Sequence, residues 1–203
     1  MKNISEQIFM VIDFETVTPK GVPPEPIQLG LVQIEKLEVV SQKQKSWFIK
    51  PPAFAPLTSF DTAQTGITNK DLENAKSSLE IFDILDKICS LHDYIFIAQN
   101  ANYEFSICRR FYENRENLSK VKFIDTIKLA KLVFPKEKTY KLDHLAALLD
   151  IDISAGRHTA LVDCRITGEV FNKLVGKLDF VDIETLLAKT CINCDKYKQI
   201  SLF

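Results

Sequence analysis

Glycine and proline are scarce in this chain, six and eight among 203 residues, and no stretch is low in complexity. A long disordered region is therefore not expected, and no internal repeat is visible. Long hydrophobic runs are missing too. The first apolar stretch, Ile8-Phe9-Met10-Val11-Ile12, follows Glu6 closely and ends at Asp13. That fits neither a secretory leader nor a membrane span. Charge of one sign is not in excess: 26 Lys and Arg face 27 Asp and Glu, for a net charge of −1 and a pI near 6.3. The basic footprint of a passive nucleic-acid-binding domain is absent. A site whose positive field comes from bound divalent ions is not excluded by this balance.

Cysteines number five, an odd count without the spacing of a secreted scaffold, which points to a reducing cytoplasm. Cys191-Ile-Asn-Cys194 has the spacing of half a zinc site. With no second pair or histidine cluster nearby, a surface coincidence is the expectation. What is present in quantity is apolar side chain, 46% of the residues, enough for the core of one α/β domain over residues 1–190, with a tail over 191–203.

Periodicity predicts strands at about 8–14, 27–34 and 38–49, then 94–98 and 122–124. The segment from Thr18 to Pro26 reads as a stiff surface loop. Helical patterns cover about 79–91, 101–112, 126–133, 141–149, 160–174 and 180–189. In the first of these, Leu79, Phe82, Leu85 and Ile88 form the expected apolar stripe. Strands first, then strand and helix in alternation, imply a mixed sheet with helices packed on it.

The first strand carries its own anomaly. Asp13 and Glu15 stand at i and i+2, so both project to one face, and carboxylates are rarely buried without a partner. Two like charges held together require a shared proton or a cation, and a metal is the expectation. Two later segments bear on this pair. After the strand 94–98 comes Gln99-Asn100-Ala-Asn-Tyr-Glu104, where Glu104 is either an ordinary first-turn acid capped by Asn100 or part of a site beyond the carboxyl ends of the strands. The other segment is His158-Thr-Ala-Leu-Val-Asp163. At about 100° per residue, five positions leave these two about 140° apart on a helix. His158 is thus expected in a loop after Gly156, with Asp163 a turn into the helix.

These motifs together resemble those of the DEDDh-type 3′–5′ exonucleases, the family of the proofreading epsilon subunit of bacterial DNA polymerase III. Asp13-Phe-Glu15-Thr16 resembles the first exonuclease motif, Asn100-Ala-Asn-Tyr-Glu104 the second, and His158-x-Ala-Leu-x-Asp163 the third. Thr65-Gly66-Ile67-Thr68-x-x-Asp71 and Ile124-Asp-Thr126 resemble further landmarks, in the family's order, across about residues 8–175. Two departures stand out: Glu104 replaces the usual Asp, which shifts a carboxylate by about 1.5 Å, and Gln99 stands where many relatives carry His.

The resemblance implies a ribonuclease H-like mixed β-sheet flanked by helices, and a cofactor of two Mg²⁺ (or Mn²⁺) held by Asp13, Glu15, Glu104 and Asp163. It further implies that His158 is the base that takes a proton from the attacking water. Thr16, Gly66, Ile67 and Asn100 are candidates for gripping the terminal nucleotide, although each also suits a turn or a packing position. Arg157 is a candidate phosphate contact. Arg109-Arg110 and the lysines of 136–141 could follow a phosphate backbone, but with acids interleaved a solvated face is the stronger expectation for either. The implied substrate is the 3′ end of a single-stranded nucleic acid, DNA in replication or repair, with RNA trimming and a non-catalytic accessory role as the alternatives. Finally, Gln199-Ile200-Ser201-Leu202-Phe203 resembles the peptide with which bacterial replication proteins engage the β sliding clamp. That implies a clamp partner and favours DNA over RNA; the plain alternative is that Leu202 and Phe203 fold back on the domain.

Overall fold

Alternation in the first strand decides the architecture. In the computed structural model, which describes residues 2–153 and 159–194, β1 (Phe9–Val17) sends Phe9 and Val11 into one core and Met10, Ile12 and Phe14 into another. A strand apolar on both faces has to lie inside a sheet with cover on each side. It does: β1 pairs antiparallel with β2 (Glu25–Glu35) and parallel with β5 (Ile95–Ala98). β3 (Glu38–Lys50) extends the antiparallel side to the two-residue β4 (Lys76–Ser77), and β6 (Lys122–Asp125) extends the parallel side. The result is a six-stranded mixed sheet in the order β4-β3-β2-β1-β5-β6.

Before β4 lie two short helices, α1 (Ser59–Thr65) and α2 (Asn69–Leu72); α3 (Ser78–Cys89), α4 (Asn102–Arg109), α5 (Glu116–Ser119), α6 (Thr126–Val133), α7 (Leu142–Leu148), α8 (Ala160–Val175) and α9 (Ile183–Thr190) follow. One face of the sheet is covered by α6 to α9 through Leu129, Leu145, Val170, Phe171 and Leu186. The other is covered by α3 to α5 through Phe82, Leu85, Ile107 and Leu118. Among the described residues no helix is long and apolar enough to cross a membrane.

Several local expectations change. Leu79 is 59% exposed, and the buried stripe of α3 is Ile81, Phe82, Leu85 and Cys89. The reason lies at the cap: Ser77 accepts from Glu80 N, and the Glu80 carboxylate accepts from Ser77 N at 2.9 Å. That box starts the helix early and leaves Leu79 in its exposed first turn. Asn100 does not cap α4. Its φ is +61°, a left-handed turn that Asn tolerates, and Ala101 holds the cap position.

Cys191 and Cys194 are joined in a disulfide with Cα atoms 5.8 Å apart. Neither half a zinc site nor a chance surface spacing describes this pair, because the segment has partners on the sheet. Ile192 N donates to the Phe123 carbonyl at 3.0 Å, and Asn193 Oδ1 accepts from Phe123 N at 2.9 Å. Residues 191–194, counted with the tail by sequence, thus lie against β6. The remaining cysteines, Cys89, Cys108 and Cys164, are buried thiols.

Candidate active site

Parallel pairing of β1 with β5 ends at Val11–Ile97, whereas β1 continues to Val17 alongside β2. Asp13 and Glu15 therefore project past the carboxyl end of β5, on the face that Phe9 and Val11 share with α8. A crevice beyond strand ends is where open α/β sheets bind ligands.

Helix α8 covers these acids because small and polar residues let it come close. Gly30, opposite Asp13 on β2, leaves the space that the first turn of α8 fills: a Cβ there would lie 2.5 Å from the backbone carbon of Ala160. Gln28 Oε1 accepts a hydrogen bond from Ala160 N at 3.1 Å, and Thr159 caps the helix by accepting from Val162 N. Further along, Cys164 Sγ lies 3.7 Å from the Val11 carbonyl. So pinned, α8 delivers Asp163 to the acids of β1. Asp13, Glu15 and Asp163 each offer a carboxylate oxygen, and these oxygens all lie within 4.8 Å of one another.

Glu104 stands behind this trio on the first turn of α4, only 3% exposed. Its Oε2 is buried with no hydrogen-bond partner among the described residues. Burial first, then the nearby Asp13 carboxylate, hold the Glu104 carboxyl well above the usual carboxylate range, and Asp125 pushes the same way. Burial also raises the Cys164 thiol, helped by Asp13, Glu104 and Asp163, so the acids share one field. The close group is Asp13, Glu15 and Asp163, without Glu104, and an all-oxygen donor set of clustered carboxylates fits hard divalent cations such as Mg²⁺ or Mn²⁺.

Two clefts open from the acids. One, of about 810 Å³, runs past Glu15 and Thr16 toward α1, with Phe60, Gln64, Thr65 and Tyr103 in its walls. Across it Thr16 Oγ1 and the Tyr103 hydroxyl are hydrogen-bonded at 2.6 Å. Burial raises the Tyr103 pKa, against that hydrogen bond. The second cleft, of about 590 Å³, opens on the side of Asp13, Asp163 and Asn100.

The remaining candidates distribute as follows. Gly66, at φ +71°, is the left-handed end of α1, and Ile67 is buried against Val17, Ile27 and Leu72. Neither lines a cleft described here; their neighbour Thr65 does. Arg110 is paired with Glu25 at 3.0 Å. His158 and Arg157 lie outside the described residues, as do Gln199, Ile200, Ser201, Leu202 and Phe203. Sequence reading passed over Tyr103, Gln28 and Gly30. Tyr103 was reachable, because it adjoins Glu104. The other two act through contacts with α8, for which a strand pattern carries no signal.

A family model described as Exonuclease (RNase T) matches residues 10–171. The chain belongs to that exonuclease family. Members of this family use divalent metal ions, in keeping with the acidic cluster of the exonuclease domain. Its curated relatives include the PolC-type DNA polymerase III of Thermotoga maritima, 31% identical over 179 residues that cover 88% of this chain and 12% of the relative. The PolC-type enzyme of Caldanaerobacter subterraneus subsp. tengcongensis is 28% identical over 179 residues, with the same coverage of 88% and 12%. The exonuclease chain thus spans about an eighth of the length of these relatives. Among solved structures, the nuclease domain of 3′hExo, a DEDDh family member bound to rAMP, gives a TM-score of 0.73 at 16% identity over 89% of this chain and 98% of that one. Exonuclease X in complex with 5′ overhanging duplex DNA gives 0.67 at 20% identity over 88% and 96%. The exonuclease fold is therefore the ribonuclease H-like mixed sheet flanked by helices.

Proposed function

We propose that this exonuclease domain removes nucleotides from the 3′ end of single-stranded DNA by metal-dependent hydrolysis, in replication or repair. The observation that carries the proposal is the convergence of Asp13, Glu15 and Asp163, with carboxylate oxygens within 4.8 Å of one another, together with Glu104 buried near Asp13, its Oε2 without a hydrogen-bond partner among the described residues. These residues hold the ions. Bound divalent cations supply charge neutralisation at the phosphate, acidification of water and stabilisation of the leaving oxygen.

The chain's own groups do the rest. Glu104, fixed at the start of α4, keeps the rear of the site acidic and dry. His158, with an ordinary pKa of about 6.5, takes a proton from the attacking water near neutral pH, and Arg157 beside it meets a phosphate oxygen. Thr16 and Tyr103, joined across the larger cleft, hold its floor, and the exposed ring of Phe60 offers a face on which a terminal base stacks. Asn100, at the mouth of the other cleft, is a further nucleotide contact. PolC-type polymerases as relatives support DNA as the substrate and a cytoplasmic place of action. The tail Gln199-Ile-Ser-Leu-Phe203 supports a β sliding clamp as partner. Clamp binding that is lost on deletion of 199–203, with an unchanged melting temperature, is the result expected.

The central test is hydrolysis of labelled single-stranded DNA with Mn²⁺ and with EDTA. Asp13→Ala should abolish turnover and metal binding alike. His158→Ala should slow turnover about 10²–10⁴-fold while Mn²⁺ binding persists. Full activity in EDTA, or in Asp13→Ala, would overturn the proposal.

A further inference from the structure

The smaller cleft, on the side of Asp13 and Asp163, has a wall unlike the rest of the site. It brings together Lys131 of α6 with Lys138 and Lys141 of the segment leading into α7. All three are exposed, and among the described residues none forms an ion pair with an acidic side chain. The wall is held in place. Gln99 Nε2 donates to the Tyr140 carbonyl at 2.7 Å, and Gln99 Oε1 accepts from Thr126 Oγ1. The Tyr140 hydroxyl donates to the Phe134 carbonyl at 2.7 Å, and Lys131 Nζ sits 5.7 Å from the centre of the Tyr140 ring. Acids on the same cleft are Asp143 at its rim and Asp13 and Asp163 of the cation cluster.

The larger cleft differs in kind. Among the described residues no lysine or arginine lines it, while Phe60 and Tyr103 do. Its charged lining residues are the acids Glu15 and Asp61, and an aromatic cleft without cations suits a nucleoside rather than a run of phosphates. A cleft walled by lysines suits the part of a strand that carries a charge at every phosphate. On a chain whose net charge is −1, a lysine wall reaching the acids themselves is a local feature rather than a share of a general basic surface.

We propose that the substrate strand 5′ of the scissile bond leaves the site through this cleft, its phosphates tracked by Lys131, Lys138 and Lys141. The terminal nucleoside then lies in the aromatic cleft, and the acids stand between the two. This assignment rests on the nuclease function proposed above and adds the direction of the strand. It also gives Gln99 a task as a positioning residue, the strut that holds Tyr140 and with it the lysine wall.

The test is the salt dependence of binding, by fluorescence anisotropy, of labelled dodecamers of thymidylate and of uridylate to the full chain in Ca²⁺. Each lysine that meets a phosphate contributes about 0.7 to the slope of log K against log salt for single strands. Lys131→Gln, Lys138→Gln and Lys141→Gln combined should therefore lose about 2 from the slope. The loss should be the same for both dodecamers, because a phosphate contact does not sense the 2′-hydroxyl. Affinity for thymidine monophosphate and the melting temperature should not change. If the combined variant melts early, the single variants, each expected to lose about 0.7, decide the matter. An unchanged slope overturns the proposal, and so does an equal loss in Lys45→Gln on the distant strand β3. None of these measurements requires turnover. Absent hydrolysis with the expected slope loss would count against the nuclease function alone; hydrolysis with an unchanged slope would count against the lysine track alone.

Discussion

Replacing Gly30 by alanine tests how the acidic cluster is assembled. The new Cβ would stand 2.5 Å from Ala160 C and O and 2.8 Å from Leu161 N, all of them backbone atoms of the first turn of α8. Ordinary contact begins near 3.4 Å, so the helix start must retreat by about 1 Å from β2, an overpacking that costs about 1–3 kcal/mol. For a chain of this size each kcal/mol lowers the melting temperature by about 2–4 °C, so a fall of about 2–12 °C is expected in calorimetry. Asp163 rides on the same turn, whereas Asp13 and Glu15 stay with the sheet. A misplacement of about 1 Å costs on the order of 10²-fold in turnover, or about 2.7 kcal/mol of barrier, and Mn²⁺ affinity in titration calorimetry should fall with it. Gly168→Ala is the control. Its Cβ meets only side-chain atoms, Val39 Cγ2 at 3.1 Å and Ile34 Cδ1 and Val11 Cγ2 at 3.4 Å, and alanine gains about 1 kcal/mol of helix propensity, so activity should stay within about tenfold. Wild-type turnover and Mn²⁺ affinity in Gly30→Ala would refute the reasoning that the close approach of α8 places Asp163.

Glu104→Gln should abolish most turnover yet raise the melting temperature in EDTA at a pH above the raised value of the Glu104 carboxyl, where it removes a buried charge that costs about 1–3 kcal/mol or more; an unchanged melting temperature there would remove Glu104 from the cluster. Because burial and Asp13 raise the Glu104 carboxyl above its unfolded value, the contribution of Glu104 to the stability of metal-free protein is full below its unfolded value and is lost as pH rises through the raised one; in denaturant titrations Glu104→Gln should lack this loss. Glu104→Asp should keep turnover within about tenfold, about 1.4 kcal/mol of barrier, and a large gain instead would mark Glu104 as a lesion. Tyr103→Phe removes the 2.6 Å hydrogen bond to Thr16 and should cost about 0.5–1.5 kcal/mol of stability, with KM for oligonucleotides raised more than kcat is lowered.

The acidic face was legible in the sequence because it needs only a period of two. Asp13 and Glu15 extend the row begun by Phe9 and Val11, and no distant residue is required to see it. The placement of Asp163 was legible in part: helical phase separates it from His158, but its approach to β1 depends on Gly30 and Gln28 of another strand. Helices α1 and α2 were missed although each opens on a readable capping box, Thr58 with Asp61 and Thr68 with Asp71; both are shorter than the window in which apolar periodicity shows. The two-residue β4 is invisible for the same reason. The lysine wall was legible only in part: Lys138 and Lys141 could be weighed as a phosphate contact, but interleaved charge favours a solvated face, and Lys131 joins them only through the fold.

The segment after α9 has a consequence for how copies of this chain behave toward one another. β6 is the last strand of the sheet, and a bare outer strand is a template on which another chain's strand can grow. Ile192 and Asn193 occupy that template: Ile192 N takes the Phe123 carbonyl, the Asn193 side chain takes Phe123 N, and Asn193 Nδ2 takes the Val121 carbonyl at 2.8 Å. The disulfide on either side of these two residues closes them into a small ring that cannot extend into a strand and invite a further one. It works as a stopper on an open zip. A chain cut before Cys191 would keep its cluster of acids and still expose a growing edge, and its failure would be read in light scattering before it was read in catalysis. Among the described residues the opposite margin carries no disulfide-closed ring. There β4 pairs with β3 only at Ile49 and Lys50, and along the rest of β3 the exposed Lys43 and Lys45 set charge against further pairing.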